Sequence, residues 1–179
     1  MLIIGVDPGT IFTGYGIIKH DKNTFTKILH GLIKLPSNKT LPEKLEIIYD
    51  ELDRIIKAYK PDEFSIETAF YGKNVQSAMK IGYARGVSLL AAVHNNLPTN
   101  EYSPREIKKS VVGNGAASKE QVFFMISTLL NLKNLKMRFD ESDALAVALC
   151  HAFRMKSLLK TGKSWKDFVE AFPERIIQN

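Results

Sequence analysis

The sequence predicts an α/β fold in which a mixed, five-stranded sheet carries helices on both faces. Short apolar runs alternate with stretches of helical periodicity, in the order βββαβαβα followed by further helices. Two of these apolar runs end in an acidic residue, at the sheet edge where α/β folds bind ligands. An apolar fraction of 45% over 179 residues is sufficient for the core of one domain.

The first third of the chain predicts three strands in an antiparallel meander. Residues 2–7 form an apolar run that ends at Asp7-Pro8-Gly9-Thr10. Residues 14–19 and 26–35 read as two further strands, separated by the turn-forming sequence Asp21-Lys22-Asn23. The short connections favour antiparallel pairing of neighbours.

The next segment predicts a crossover that makes part of the sheet parallel. Residues 41–59 carry apolar side chains at helical spacing, and Lys60-Pro61-Asp62 ends the helix. Residues 63–67 then form a short strand that ends at Glu67. Because strand–helix–strand connections are right-handed and give parallel pairs, we expect the first strand and this one to be parallel neighbours.

The second half of the chain is mostly helical. One further strand is predicted at 98–102, and helices are predicted at 74–95, 104–111, 118–130 and 140–159. Ser118 is a suitable N-cap, with Gln121 three residues later. We expect one folded domain over residues 1–160 and a separate basic tail over residues 161–179.

Charge and composition favour a polyanionic substrate. The net charge is +6, and no acidic residue occurs between Thr68 and Asn100. An excess of basic residues around a few clustered acidic residues suits an enzyme that binds phosphates with its lysines and a metal with its carboxylates. An ordinary solvated surface is the alternative explanation of the charge alone.

Several protein classes are excluded by what the sequence lacks. No apolar run is long enough to span a bilayer, and the chain opens directly into a strand without the pattern of a signal peptide. A single cysteine, Cys150, rules out a disulfide framework and reads as a small core residue. We therefore expect a cytoplasmic protein that has no contact with membranes.

Four carboxylates form the candidate site. Asp7 and Glu67 end strands that are expected to be neighbours, and Asp140 and Asp143 share one face at the start of a helix. A carboxylate at the end of a buried strand is costly unless a cation compensates its charge. Oxygen ligands suit Mg²⁺ or Mn²⁺. The alternative is that Asp140 and Asp143 only stabilise the first turn of a helix.

Five segments of this chain strongly resemble the RuvC-type Holliday junction resolvases, from about residue 1 to about residue 151. They are IGVDPGT…TGYG at 4–16, SIE at 65–67, KIGYARG at 80–86, VVGNGAASKEQ at 111–121 and DALAVALCHA at 143–152. The resemblance implies an RNase H-like fold, a homodimer, and Mg²⁺- or Mn²⁺-dependent, symmetric cleavage of four-way DNA junctions. It also implies the RuvA–RuvB branch-migration complex as a partner.

The resemblance assigns roles to individual residues. Matched by motif, the four acids of the family fall on Asp7, Glu67, Asp140 and Asp143. Two lysines that handle DNA fall on Lys108 and Lys119, and an aromatic residue near the junction centre falls on Phe70. This chain has Asp140-Glu141-Ser142-Asp143 where relatives often have Asp-Ala-Ala-Asp, and we expect Glu141 to turn away from the site.

The resemblance suggests a two-metal hydrolysis. We expect two ions about 4 Å apart, with Asp7 bridging both and Lys119 neutralising charge that develops on the phosphate.

Other residues support a DNA-binding role independently of the resemblance. The loop that carries Phe70, Tyr71 and Lys73 directly follows Glu67, and aromatic residues beside a lysine suit stacking on an unpaired base. Packing of one ring on the sheet is the alternative. The sequence Gly113-Asn114-Gly115 precedes a helix start at Ser118-Lys119, which suits a phosphate.

Small residues on the long helix indicate a close helix contact. Ala78, Gly82 and Gly86 recur every four residues, so another helix can approach this stripe. A twofold dimer would present two identical sites to two strands of like polarity. The alternative is that the stripe packs on the sheet of its own domain.

Two other functions share parts of these patterns. The sequence Asp7-Pro8-Gly9-Thr10 is similar to the phosphate loop of actin-like ATPases and sugar kinases, but those proteins need two lobes and 179 residues supply one. A non-catalytic module that binds junctions or RNA is the second alternative, although all four acids are present.

Overall fold

A computed structural model describes residues 1–22, 24–68, 75–132 and 137–161. Its strands are β1 Leu2–Asp7, β2 Phe12–Asp21, β3 Thr24–Lys34, β4 Glu63–Glu67 and β5 Thr99–Tyr102. Its helices are α1 Leu41–Tyr59, α2 Val75–His94, α3 Pro104–Val112, α4 Lys119–Leu129 and α5 Phe139–Thr161. Within the described ranges, no helix combines the length and hydropathy that a bilayer crossing requires.

The sheet is mixed, as predicted, with the strand order β3-β2-β1-β4-β5. β1, β2 and β3 form an antiparallel meander, while β4 pairs in parallel with β1 and β5 pairs in parallel with β4. Val6 lies opposite Ile66, so the residues that follow them, Asp7 and Glu67, end neighbouring strands at the same edge. The predicted juxtaposition of the two acids is confirmed.

Helices cover both faces of this sheet. Alternate residues of the strands point to opposite sides, so Ile3 and Ile18 pack with α3, α4 and α5, whereas Ile4 and Ile17 pack with α1 and α2. Cys150 is fully buried in the first of these cores, as predicted.

Helix α5 lies directly against β1 and β2 because the strands present glycines to it. A Cβ at Gly5 would lie 2.6 Å from the backbone nitrogen of Ala148 and would collide with the carbonyl oxygen of Ala144. At Gly14, which pairs with Asp7, a Cβ would lie 2.8 Å from the carbonyl carbon of Asp140. Because these glycines have no side chains, the start of α5 can lie beside the end of β1.

The structure differs from the sequence prediction mainly in element ends. β2 runs from Phe12 to Asp21, longer than the predicted 14–19, because its whole length pairs with β3. The longer strand therefore includes Phe12, which lies at the end of the sheet near the four acids.

Replacement of Gly5 by alanine should destabilise the protein strongly. The added methyl group has no space between β1 and α5, and overpacking of this kind costs about 1–3 kcal/mol. Urea denaturation followed by circular dichroism measures the loss. Thr26→Ala, at an exposed position of β3, is the control and should change stability by less than about 0.5 kcal/mol. Equal stability of the Gly5→Ala variant and the parent would show that α5 does not pack this closely.

Candidate metal and nucleic-acid site

Three of the four predicted acids line one cavity. Asp7 ends β1, Glu67 ends β4, and Asp143 lies in the first turns of α5. The cavity has a volume of about 220 Å³ and also contains Lys108 of α3 and Lys119 of α4. Two strand ends and three helices therefore converge on the site, and Ile107, Val122 and Ala146 add apolar surface to its lining.

The end of β4 is anchored just beyond Glu67. The backbone N–H of Thr68 donates a hydrogen bond to the carbonyl oxygen of Tyr102 at 2.9 Å, which continues the β4–β5 pairing past the acid. Glu67 therefore projects from regular strand backbone rather than from a loose loop.

The fourth acid, Asp140, lies at the rim of the site. Its side chain is 37% exposed, and its Oδ2 is 4.0 Å from Nε of Arg138. It lines a neighbouring groove rather than the cavity that contains Asp7. Its charge nevertheless reaches the other acids, since it contributes to raising the pKa values of Asp7 and Asp143.

Glu141 turns away from the site, as predicted. Its Oε1 lies 2.9 Å from Nδ1 of His30 on β3. Its Oε2 accepts a hydrogen bond from the backbone N–H of Arg138 at 2.7 Å. Glu141 therefore ties the start of α5 to the sheet and holds the turn that presents Asp140 and Asp143.

Burial and mutual repulsion make the site unfavourable for three negative charges. Burial, followed by the charges of Glu67 and Asp143, raises the pKa of Asp7 well above its usual range. Burial and then the charge of Asp143 raise the pKa of Glu67 to about 7. Burial also raises the pKa of Asp143, although Lys119 opposes the shift. The carboxylates thus need a positive partner to be ionised together.

Lys119 supplies part of that positive charge. Its Nζ donates a hydrogen bond to Oδ2 of Asp143 at 2.8 Å, and this bond raises the pKa of the lysine. The lysine is the first residue of α4, whose start is fixed by the predicted capping box between Ser118 and Gln121. Lys108 faces Glu67 from α3 and, after Lys119, opposes part of the rise in the pKa of that acid.

The donor set fits a hard divalent cation. Carboxylate oxygens are the ligands that Mg²⁺ and Mn²⁺ prefer, and a cation would relieve the repulsion that raises the three pKa values. Among the described residues, no three acidic, histidine or cysteine side chains converge closely enough to form a finished set of ligands. The ammonium of Lys119 occupies one carboxylate oxygen of Asp143, so an ion that takes this oxygen must displace it.

Three predicted DNA-binding residues, Phe70, Tyr71 and Lys73, lie outside the described residues. The other two, Lys108 and Lys119, are brought into the site. The predicted loop at Gly113 is present, and Gly113 ends α3 with a φ of 84°, which glycine adopts easily.

Two residues of the predicted stripe on α2, Gly82 and Gly86, face open space. A Cβ at Gly82 or Gly86 would meet no heavy atom within 4 Å, so these glycines do not pack on the sheet of their own domain. Apolar side chains beside them are also exposed, namely those of Met79, Tyr83, Leu90 and Val93. The alternative of packing on the sheet is therefore wrong for these two glycines.

Sequence reasoning missed one surface beside the acids. Phe123 of α4 and Phe139 of α5 meet there, together with Arg138. The signal was weak, because two aromatic residues sixteen positions apart show no periodicity that links them. Only the packing of α4 against α5 brings them together.

The comparisons with known proteins agree with this geometry. The family model described as "Crossover junction endodeoxyribonuclease RuvC" matches residues 3–151. A protein of that name from Chloroherpeton thalassium is 42% identical over 186 residues, covering 99% of this chain and all of the relative. One from Alkaliphilus oremlandii is 47% identical over 152 residues, covering 85% of this chain and 93% of the relative.

A solved structure extends the likeness to three dimensions. The structure described as Thermus thermophilus RuvC in complex with Holliday junction substrate superimposes with a TM-score of 0.83 at 28% identity. The match covers 88% of this chain and 96% of that chain. The fold is thus the RNase H-like resolvase fold that the sequence predicted, and this chain belongs to the RuvC family of crossover junction endodeoxyribonucleases.

Proposed function

We propose that this protein is a structure-specific endonuclease that resolves four-way DNA junctions by symmetric hydrolysis of phosphodiester bonds during recombination and repair. The observation that carries the proposal is the cavity in which Asp7, Glu67 and Asp143 meet Lys119, in a chain of the RuvC family. Carboxylates that need a cation, beside the ammonium groups of Lys108 and Lys119, suit the hydrolysis of a phosphodiester.

The proposed cofactor is Mg²⁺, which Mn²⁺ would replace, with two ions in each site. Asp7, Glu67, Asp140 and Asp143 would hold them, and Asp7 is the candidate to contact both. Bound there, the ions would activate water and stabilise the leaving 3′ oxygen. Asp140 would have to turn inward from the rim, which its exposure allows.

The lysines and the loop after Glu67 act on the DNA. Lys119 binds the scissile phosphate and offsets negative charge on it once its bond to Asp143 is released. Lys108, on the other wall of the cavity, binds the same strand. Phe70, Tyr71 and Lys73 would contact bases and backbone near the junction centre, with one ring stacked on an unpaired base.

We also propose that two copies pair through α2. Exposed apolar side chains and two glycines with free space share one side of this helix, which is a costly arrangement for a monomer in water. Pairing of this surface with itself buries it and gives a twofold dimer with two identical sites. Symmetric cleavage of two strands requires two such sites.

The remaining assignments follow from the family. We propose that the nuclease domain spans residues 1–160 and that a basic tail spans residues 161–179, of which 162–179 lie outside the described residues. The RuvA–RuvB branch-migration complex is the proposed protein partner. A DNA substrate supports a cytoplasmic location, which we propose for this protein.

A cleavage assay separates this function from its alternatives. A synthetic mobile four-way junction and a linear duplex of matched sequence are incubated with Mg²⁺. The proposed enzyme nicks the junction symmetrically and leaves the duplex intact. An actin-like ATPase would hydrolyse nucleotide instead, and a non-catalytic module would bind the junction without cutting it.

Asp7→Asn should abolish cleavage and preserve junction binding. The substitution removes an anion that the metal needs, whereas affinity for the junction comes mainly from contacts with phosphates. Gel-shift measurements without metal and cleavage measurements with Mg²⁺ test the two effects separately. Asp21→Asn, an exposed acid at the other end of the sheet, is the control for the change in charge. Parallel losses of binding and cleavage would contradict the proposed role of Asp7.

Gly82→Leu should weaken the dimer by about 5- to 150-fold. The added side chain blocks close approach of two α2 helices, and overpacking costs about 1–3 kcal/mol. Sedimentation equilibrium over a range of concentrations gives the dissociation constant, and circular dichroism checks that the subunit is folded. Glu46→Leu, an exposed position on α1, adds the same side chain and should leave the dimer unchanged. An intact Gly82→Leu dimer would place the interface elsewhere.

A further inference from the structure

An aromatic groove lies beside the acid cavity, between α4 and the start of α5. It is defined by Phe123, Arg138 and Phe139, and it has a volume of about 530 Å³. Its lining includes Lys119 and Asp140. Since Lys119 also lines the acid cavity, the groove is a neighbour of the site where the scissile phosphate is proposed to bind.

The two aromatic rings form a corner. The centroids of Phe123 and Phe139 are 6.0 Å apart, and their planes meet at 83°. Phe139 is 42% exposed, although it lies at the start of a helix whose following turns are buried. A flat ring can therefore lie on one phenyl face and meet the other phenyl group at its edge.

Arg138 is held at the side of this corner. The central carbon of its guanidinium lies 4.3 Å from the ring centroid of Phe12, at the start of β2. Such a contact between a cation and an aromatic face fixes the side chain near the groove while leaving its donors able to reach a ligand.

The chemistry of the groove favours a nucleobase over a phosphate. The charges of Glu120 and Asp140 offset those of Lys119 and Arg138, so the lining has no net positive charge to attract an anion, and Met137 adds an apolar surface. A nucleobase is flat, uncharged and aromatic, and every base offers a face for stacking. The groove lies beside the acid cavity. A DNA strand that enters the cavity would therefore continue past the groove and bring a base to it.

We infer that the aromatic groove binds an unstacked nucleobase adjacent to the scissile phosphate in the strand that is cut. This inference rests on the proposed nuclease function. Stacking of the base on Phe139 and Phe123 holds the neighbouring phosphate in register with the acids.

A substitution cycle with abasic DNA tests the inference. Four-way junctions are prepared with an intact strand, or with an abasic site on the 5′ or the 3′ side of the scissile phosphate. Phe139→Leu and Phe123→Leu remove a ring while keeping apolar volume. Phe124→Leu is the matched control, since Phe124 neighbours Phe123 on α4, is 68% exposed and does not line the groove.

On intact junctions, Phe139→Leu and Phe123→Leu should each slow single-turnover cleavage by about tenfold, within the range of a lost base stack. The control should match the parent protein. An abasic site on one side should slow the parent by a similar factor and abolish its advantage over the two variants. Variants that cut as fast as the parent, or whose defects persist in full on both abasic junctions, would overturn the inference.

A binding measurement separates failure of the groove from failure of the proposed function. A junction with 5-iodouracil next to the scissile phosphate is bound in EDTA, irradiated, and mapped by mass spectrometry. Cross-links to Phe123 or Phe139 support the inference, and cross-links found only elsewhere overturn it. A parent protein that cuts normally but shows no cross-link in the groove defeats the inference alone. A parent protein that neither binds nor cuts junctions defeats the proposed function and the inference together.

Discussion

The close contact between α5 and the strands β1 and β2 determines the geometry of the site. Gly5 and Gly14 leave no side chain between sheet and helix, so the backbone of α5 lies against the backbone of β1 and β2. Because Gly14 pairs with Asp7, the start of α5 must lie beside Asp7. The same contact that closes the core therefore delivers Asp143 to the strand-end acids.

Without a cation, holding these carboxylates together in their ionised form is unfavourable in free energy. Burial and neighbouring negative charge raise the pKa of Asp7, of Glu67 and of Asp143 together. The bond from Lys119 to Asp143 relieves only part of the repulsion. This arrangement suits an enzyme that binds both metal ions and a phosphodiester. The carboxylates attract the ions, and the lysine, once released from its carboxylate, can bind the phosphate.

The sequence was sufficient for most of the fold and for the identity of the acids. Apolar periodicity predicted the strands, and the crossover rule predicted that the strand ending at Asp7 and the strand ending at Glu67 are neighbours. It could not show that Asp140 lies at the rim or that Lys119 bonds to Asp143, because side-chain direction depends on how α4 packs on α5. The aromatic groove was unpredictable for the same reason.

Calorimetry of Mg²⁺ binding tests most directly whether buried, repelling carboxylates form a metal site. A raised native pKa of about 7 means that Glu67 is mostly protonated at pH 6.5, and an ion that binds it must displace the proton. Titrations in buffers of different ionisation enthalpy should show proton release at pH 6.5 that becomes smaller by pH 8.5, as Glu67 loses its proton before the ion binds. Glu67→Gln should reduce the release at pH 6.5. Mg²⁺ binding without proton release at pH 6.5, or release unchanged in the variant, would contradict the account.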